Sequence, residues 1–84
     1  MPPYEVFVHV SVLETAPRRG PQRQRLLEFI HSLRANPYTP GDFTDIDSTM
    51  RTRQVKILGD FALTYWVDDP VKAVMIVDLR PADQ

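Results

Sequence analysis

The chain has no cysteine. Neither a disulfide framework nor a thiolate metal site is available to it, which suits a reducing compartment. Glycine is scarce, at three residues, so no glycine-rich loop exists to cradle a phosphate. No apolar run approaches the ~18 residues needed to span a membrane, and Met1-Pro2-Pro3-Tyr4-Glu5 lacks the basic-then-apolar order of a leader. A cytoplasmic protein without a membrane partner is expected. Charge of one sign is also missing. Ten Lys and Arg against eleven Asp and Glu give a net charge of -1, so the molecule as a whole does not attract nucleic acid. The distribution is less even than the sum: Arg18, Arg19, Arg23, Arg25 and Arg34 lie in the first half, and Asp42, Asp45, Asp47, Asp60, Asp68 and Asp69 in turns of the second. A charged helix surface and acidic turns are the ordinary explanation. His9 and His31, far apart and with no cysteine, make no recognisable zinc site. No nucleophile elbow or Ser/His/Asp ordering is visible. No metal or cofactor is expected, and His31 reads as solvated.

What is present is organised around Arg53 to Arg80. Val55-Lys56-Ile57-Leu58 ends at Gly59-Asp60, Phe61 to Val67 follows, and Asp68-Asp69-Pro70 leads into Val71 to Leu79. β-branched and aromatic residues crowd the runs while Gly, Asp and Pro fall between them, the punctuation of an antiparallel meander. Period-2 alternation places Phe61, Leu63, Tyr65 and Val67 on a core face, opposite Ala62, Thr64, Trp66 and Asp68. The same rule sets Ala73, Met75, Val77 and Leu79 against Val74, Ile76, Asp78 and Arg80.

Tyr4 to Leu13 also alternates, with Tyr4, Val6, Val8, Val10 and Val12 on one side, and predicts a single strand. A break at Pro17 and Gly20-Pro21 follows. Gln22 to Ala35 predicts a helix whose stripe is Leu26, Leu27, Ile30 and Leu33, flanked by Phe29. Pro21 fits its first position, and Asn36-Pro37 ends it. Phe43 to Thr49 predicts a weak edge strand whose aspartates discourage pairing with another chain. At 84 residues this is one domain, 1–84, burying about 60 to 65% of its unfolded surface. The expected fold class is α+β: an antiparallel β-sheet with one helix packed on one face, in the order β-α-β-β-β-β.

Leu33-Arg34-Ala35-Asn36-Pro37 with Gly41 beyond it, Arg53-Gln54-Val55-Lys56-Ile57-Leu58-Gly59-Asp60-Phe61-Ala62-Leu63-Thr64-Tyr65, and Val74 to Arg80 occur in an order that resembles the RelE/ParE superfamily of type II toxin-antitoxin toxins. The resemblance covers nearly the whole chain. It implies a toxin linked to plasmid stabilisation, neutralised by an antitoxin, and acting on the ribosome and its mRNA or on DNA gyrase. The departures concern the active site. Ala62 stands where many members carry an arginine, the chain stops at Pro81-Ala82-Asp83-Gln84 where ribonucleolytic members continue into a helix, and one helix is read where the family has a pair. Lys56 and Arg80 keep the family's basic positions.

In members that cut mRNA, basic side chains on the open sheet face hold the scissile phosphate and stabilise developing charge, a large catalytic contribution. The alternation puts Phe7, His9, Gln54, Lys56, Ala62, Thr64, Trp66, Ile76, Asp78 and Arg80 on that face. His9, Lys56 and Arg80 are therefore the candidate catalytic residues, with Asp78 able to orient His9 or pair with Arg80. The ordinary reading of His9 is a structural hydrogen-bonding residue, and that of Arg80 with Asp78 a same-face ion pair. Trp66 and Phe7 are candidate partner-binding anchors, since tryptophan and arginine dominate such contacts. The alternative to a toxin is a catalytically inactive protein-binding module on the same scaffold.

Overall fold

The computed structural model describes residues 4–82. The expectations about Met1 to Pro3, Asp83 and Gln84 lie outside them. Five strands form one sheet in the order β1-β5-β4-β3-β2: β1 (Glu5–Val8), β2 (Phe43–Ile46), β3 (Thr52–Leu58), β4 (Phe61–Asp68) and β5 (Ala73–Pro81). β1 runs parallel to β5, and the remaining neighbours are antiparallel. Two helices, α1 (Val10–Thr15) and α2 (Pro21–Ser32), lie between β1 and β2 in sequence. The α+β class, the edge position of β2 and the terminal meander agree with the sequence reading.

The N-terminal segment departs from it. The strand stops at Val8 instead of continuing to Leu13, because His9 turns the chain: its Nδ1 accepts the Ser11 N–H at 3.1 Å and caps α1. The Val8-Val10-Val12 alternation is real, but Val12 and Ala16 are also i, i+4 neighbours. Val12 is buried in the core, with Ala16 packed against it. Val10 and Leu13 remain exposed. A short first helix therefore joins α2, where a single helix was expected.

α2 begins at Pro21, which gives up no hydrogen bond in the first turn. Leu26 and Leu33 are buried, and Phe29 and Ile30 pack against the core. Leu27 is left 45% exposed, because the sheet receives only one side of the helix. Leu63, Tyr65, Val74, Ile76, Leu79 and Leu58 complete the core. Burial of each leucine-sized side chain contributes on the order of 2 kcal/mol. The Tyr65 ring lies 5.6 Å from Phe29, and its hydroxyl donates to the Thr39 carbonyl at 2.8 Å. That bond ties the loop after α2 to the sheet, and burial pushes the phenol up to about 12. Gly41 is needed in the same loop, since any Cβ would collide with the Val55 backbone.

Two local features fix which side chain faces which way. The Gly59-Asp60 turn, with Gly59 at φ 60°, is two residues long, so Leu58 pairs with Phe61 and the two share a face. Even positions on β3 therefore lie with odd positions on β4. On β5, Leu79 pairs with Leu63 but Ile76 pairs with Tyr65, so Val77 is an extra residue in the ladder. Such a bulge reverses the alternation. The core face of β5 is thus Val74, Ile76 and Leu79, not Ala73, Met75, Val77 and Leu79. Asp78 and Arg80 remain opposite the helices, as expected, but Ile76 does not. No helix among the described residues is long and apolar enough to cross a membrane.

Candidate functional site

The helices cover one face of the sheet. Cross-strand pairing places Phe7, Met75 and Trp66 in one row of the other face. Asp78 pairs with Thr64, Arg80 with Ala62, and Asp45 with Arg53, closer to the β2 edge. Val55, Ala62 and Thr64 are buried although no helix or strand of the described residues covers them. They floor a shallow depression rimmed by Phe43, Asp45 and Arg80.

The charges on this face form an alternating series. The Arg53 guanidinium binds Asp45 in bidentate fashion, Nε to Oδ1 at 2.8 Å and Nη2 to Oδ2 at 2.9 Å. The Asp45 hydrogen bond holds Arg53 above the ordinary arginine value, and the charges of Asp47 and Asp78 act in the same sense. Arg80 Nε donates to Asp78 Oδ2 at 2.7 Å. Arg51 lies 3.8 Å above the Trp66 ring and 3.3 Å from Asp47. That geometry is a cation–π contact backed by an ion pair. Asp47 also accepts from the Thr49 hydroxyl and from the Thr49 and Arg51 backbone N–H groups, at 2.7 to 2.9 Å. The Thr49 hydroxyl leads in holding its carboxyl below the usual range. Each arginine at this face is thus engaged by a carboxylate.

The structure does not bring His9, Lys56 and Arg80 together. Lys56 pairs with Leu63 across the two-residue turn and so lies on the helix-facing side. Its Nζ is 3.8 Å from Asp42. Gln54 shares that side, and its Oε1 accepts the Gly41 N–H at 2.8 Å. The His9 ring is bonded to Ser11, its backbone N–H donates to the Ile76 carbonyl, and Asp78 is held by Arg80. Of the three, Arg80 occupies the open face, Lys56 the opposite one, and the His9 ring is taken up in capping α1. Phe7 and Trp66 do share the open face, in one row through Met75, and Phe7 is 49% exposed. Sequence alternation missed Arg53, Val55 and Phe43. The two-residue spacing at Gly59-Asp60 was the signal that could have found Arg53 and Val55.

A second polar cluster lies where the start of β1, the loop after α2 and the 3-10 turn Asp69–Val71 meet. Tyr4 donates to Asp69 Oδ1 at 2.9 Å, Tyr38 donates to the same oxygen, and the two rings meet edge to face at 6.1 Å. The Tyr38 phenol is raised, chiefly by that bond, and Asp69 is lowered by the two donors, Tyr38 first.

No family model and no curated protein sequence matches the chain. Solved structures do. One chain of the archaeal RelE-RelB complex from Pyrococcus horikoshii OT3 superposes with a TM-score of 0.70 at 25% identity, over 93% of each chain. One chain of the toxin-antitoxin complex RelBE2 from Mycobacterium tuberculosis gives the same TM-score at 20% identity, over 100% of this chain and 97% of its own. With this fold along its length and the motif order noted above, the chain is a RelE/ParE-superfamily protein.

Proposed function

We propose that this chain is the toxin component of a toxin-antitoxin pair and that it works through protein contact. The observation that carries the second part is the open face itself: every arginine on it is paired with a carboxylate, beside the apolar row Phe7, Met75 and Trp66. Electrostatic catalysis on a phosphodiester needs donors aimed at developing charge. Arg53 and Arg80 would first have to leave Asp45 and Asp78, and Ala62 offers nothing between them. A neutral surface with aromatic residues suits a protein partner. The P. horikoshii and M. tuberculosis proteins are each seen in complex with an antitoxin, which supports an antitoxin as one such partner. Of the two targets, DNA gyrase, reached by protein contact, fits this surface better than mRNA cleavage on the ribosome. Either target places the protein in the cytoplasm.

The test is a growth curve after inducing the chain alone in bacteria, beside Trp66→Ala and Arg80→Ala. Arrest relieved by Trp66→Ala and retained in Arg80→Ala is the expected result. Arrest relieved by Arg80→Ala alone would move the reading to phosphate chemistry. Unimpaired growth with soluble protein would overturn the toxin assignment in that host and leave an inactive binding module.

A further inference from the structure

Arg18-Arg19-Gly20-Pro21-Gln22-Arg23-Gln24-Arg25 holds four arginines and no acid. It spans the loop before α2 and the first turns of that helix. Three features set it apart from an ordinary mixed surface. The first is pairing. Arg51, Arg53, Lys56 and Arg80, the cations at the sheet, each lie within 4.0 Å of an aspartate; Arg34 and Lys72 make no ion pair among the described residues, but each stands singly. Among the described residues, Arg18, Arg19 and Arg25 make no ion pair or side-chain hydrogen bond, and Arg23 gives one N–H to the Pro17 carbonyl at 3.1 Å. The second is placement. Cations at the start of a helix oppose its dipole, yet the first turn of α2 has no acidic residue and these arginines crowd it. Beyond the Arg23 bond to Pro17 the fold gains no polar contact from them there, and a local rule broken with so little compensation marks a site used for something else. The third is residue type. Both lysines of the chain lie elsewhere, at Lys56 and Lys72; the planar guanidinium is the group that binds phosphate oxygens two at a time.

We propose that residues 18–25 form a docking surface for the phosphate backbone of a single-stranded nucleic acid, separate from the open sheet face. Arg18 and Arg23 lie on one flank of the α2 start, beside Leu13 and Glu14, and Arg25 lies on the other, beside Gln22. A flexible strand can follow the guanidinium groups around the helix end. A duplex fits less well. The outward side of α2 carries Leu27 and Glu28, and the Glu28 carboxylate, which accepts from Gln24 at 3.2 Å, sets a negative charge in the path of a second phosphate backbone. The Gly59-Asp60 turn packs against Gln22, which brings Asp60 toward any broad, rigid polyanion approaching there. The surface shares no residue with the Phe7–Trp66 row, so its binding test can fail or succeed apart from the growth test of the proposed function.

The experiment is fluorescence anisotropy of the full chain with a labelled 12-nucleotide RNA and the same DNA single strand, over a salt series. Duplex DNA and polyglutamate serve as competitors. Four phosphate contacts predict a slope of log K on log salt of about -3. Arg18→Gln/Arg19→Gln/Arg25→Gln should lower affinity at least tenfold and reduce the slope's magnitude by about 2. These side chains are exposed, so melting temperature should hold or rise and report an intact fold. Lys72→Gln, beside Tyr4 and away from the arginine run, should bind as the parent chain does. Parent-like affinity in the triple variant would overturn the proposal. So would tighter binding of the duplex, or polyglutamate competing as well as RNA, which would mark a docking site for an acidic protein. RNA and DNA strands binding alike supports a backbone contact; selective binding of one supports the surface and adds a sugar contact.

Discussion

The two faces of the sheet carry comparable numbers of apolar side chains and use them differently. Behind the sheet, Leu63, Tyr65, Ile76 and Val74 are at most 1% exposed because α1 and α2 close over them. In front, Val55, Ala62 and Thr64 are nearly as buried with no helix or strand of the described residues above, while Phe7, Phe43 and Ile57 stay open at the margins. The covered face is filled by volume. The open face is made neutral by pairing, with Asp45, Arg53, Asp78 and Arg80 supplying the polarity that a solvent-facing sheet requires. Stability should therefore reside behind the sheet, and recognition in front.

The strongest way to break that division is a charge on the helix side. Leu33 is fully buried and ends α2 against the core. Leu33→Asp places an unpaired carboxylate there and should abolish the folded state, because a single buried ion without a partner costs several kcal/mol and a domain of this size has little to spare. Leu27→Asp, on the same helix but 45% exposed, should leave a cooperative thermal transition. Circular dichroism melts of the two variants decide it; equal losses would mean that α2 docks otherwise than described.

A subtler comparison sets one aromatic from each face side by side. Tyr65→Phe keeps the ring against Phe29 but removes the bond to the Thr39 carbonyl, and should cost about 1 kcal/mol. Trp66→Ala should cost a similar amount through lost packing with Arg51, yet it alone should abolish partner binding. Urea denaturation gives the stabilities, and co-purification with a neighbouring antitoxin gives the binding. If Tyr65→Phe lost the partner as well, the two faces would not be separable.

The sequence carried the covered side of β4 and, Leu27 apart, that of α2, because leucine and tyrosine spacing within one strand or helix is a local property; of the covered side of β5 it placed only Leu79 correctly. The strands of the meander, the helix start at Pro21 and the edge position of β2 were all readable from runs and breakers. What alternation alone misread was the relation between neighbouring strands. One parity change came from the Gly59-Asp60 turn, which moved Lys56 and Gln54 behind the sheet and Arg53 and Val55 in front. Another came from the unpaired Val77, whose bulge no composition rule marks. The hidden α1 has the same origin: Val8, Val10 and Val12 fit both periods, and the side chain of His9, acting as a cap, chose between them. Candidate site residues suffered more than core residues because a one-residue shift moves a side chain across the sheet.

The smallest effect expected lies at the junction outside both faces, where Tyr4 and Tyr38 share Asp69. Their hydroxyls stabilise the carboxylate, so Asp69 in the folded chain ionises below its ordinary value. A carboxyl lowered by folding contributes stability that is present above the unfolded-state pKa and is lost as the pH falls through the folded one. Acidification below the ordinary carboxylate range should therefore loosen the start of β1 first, since the Tyr4 N–H to Arg34 carbonyl bond at 3.2 Å is among its few other ties. Asp69→Asn removes the titrating group. Its stability should lie slightly below that of the parent at neutral pH and converge with it in acid. Asp47, lowered for its own reasons in the β2–β3 turn, retains its acid dependence in both proteins, so the difference between the two melting curves isolates Asp69. A gap that widened in acid would show that the tyrosines, and not the carboxylate they surround, hold this corner together.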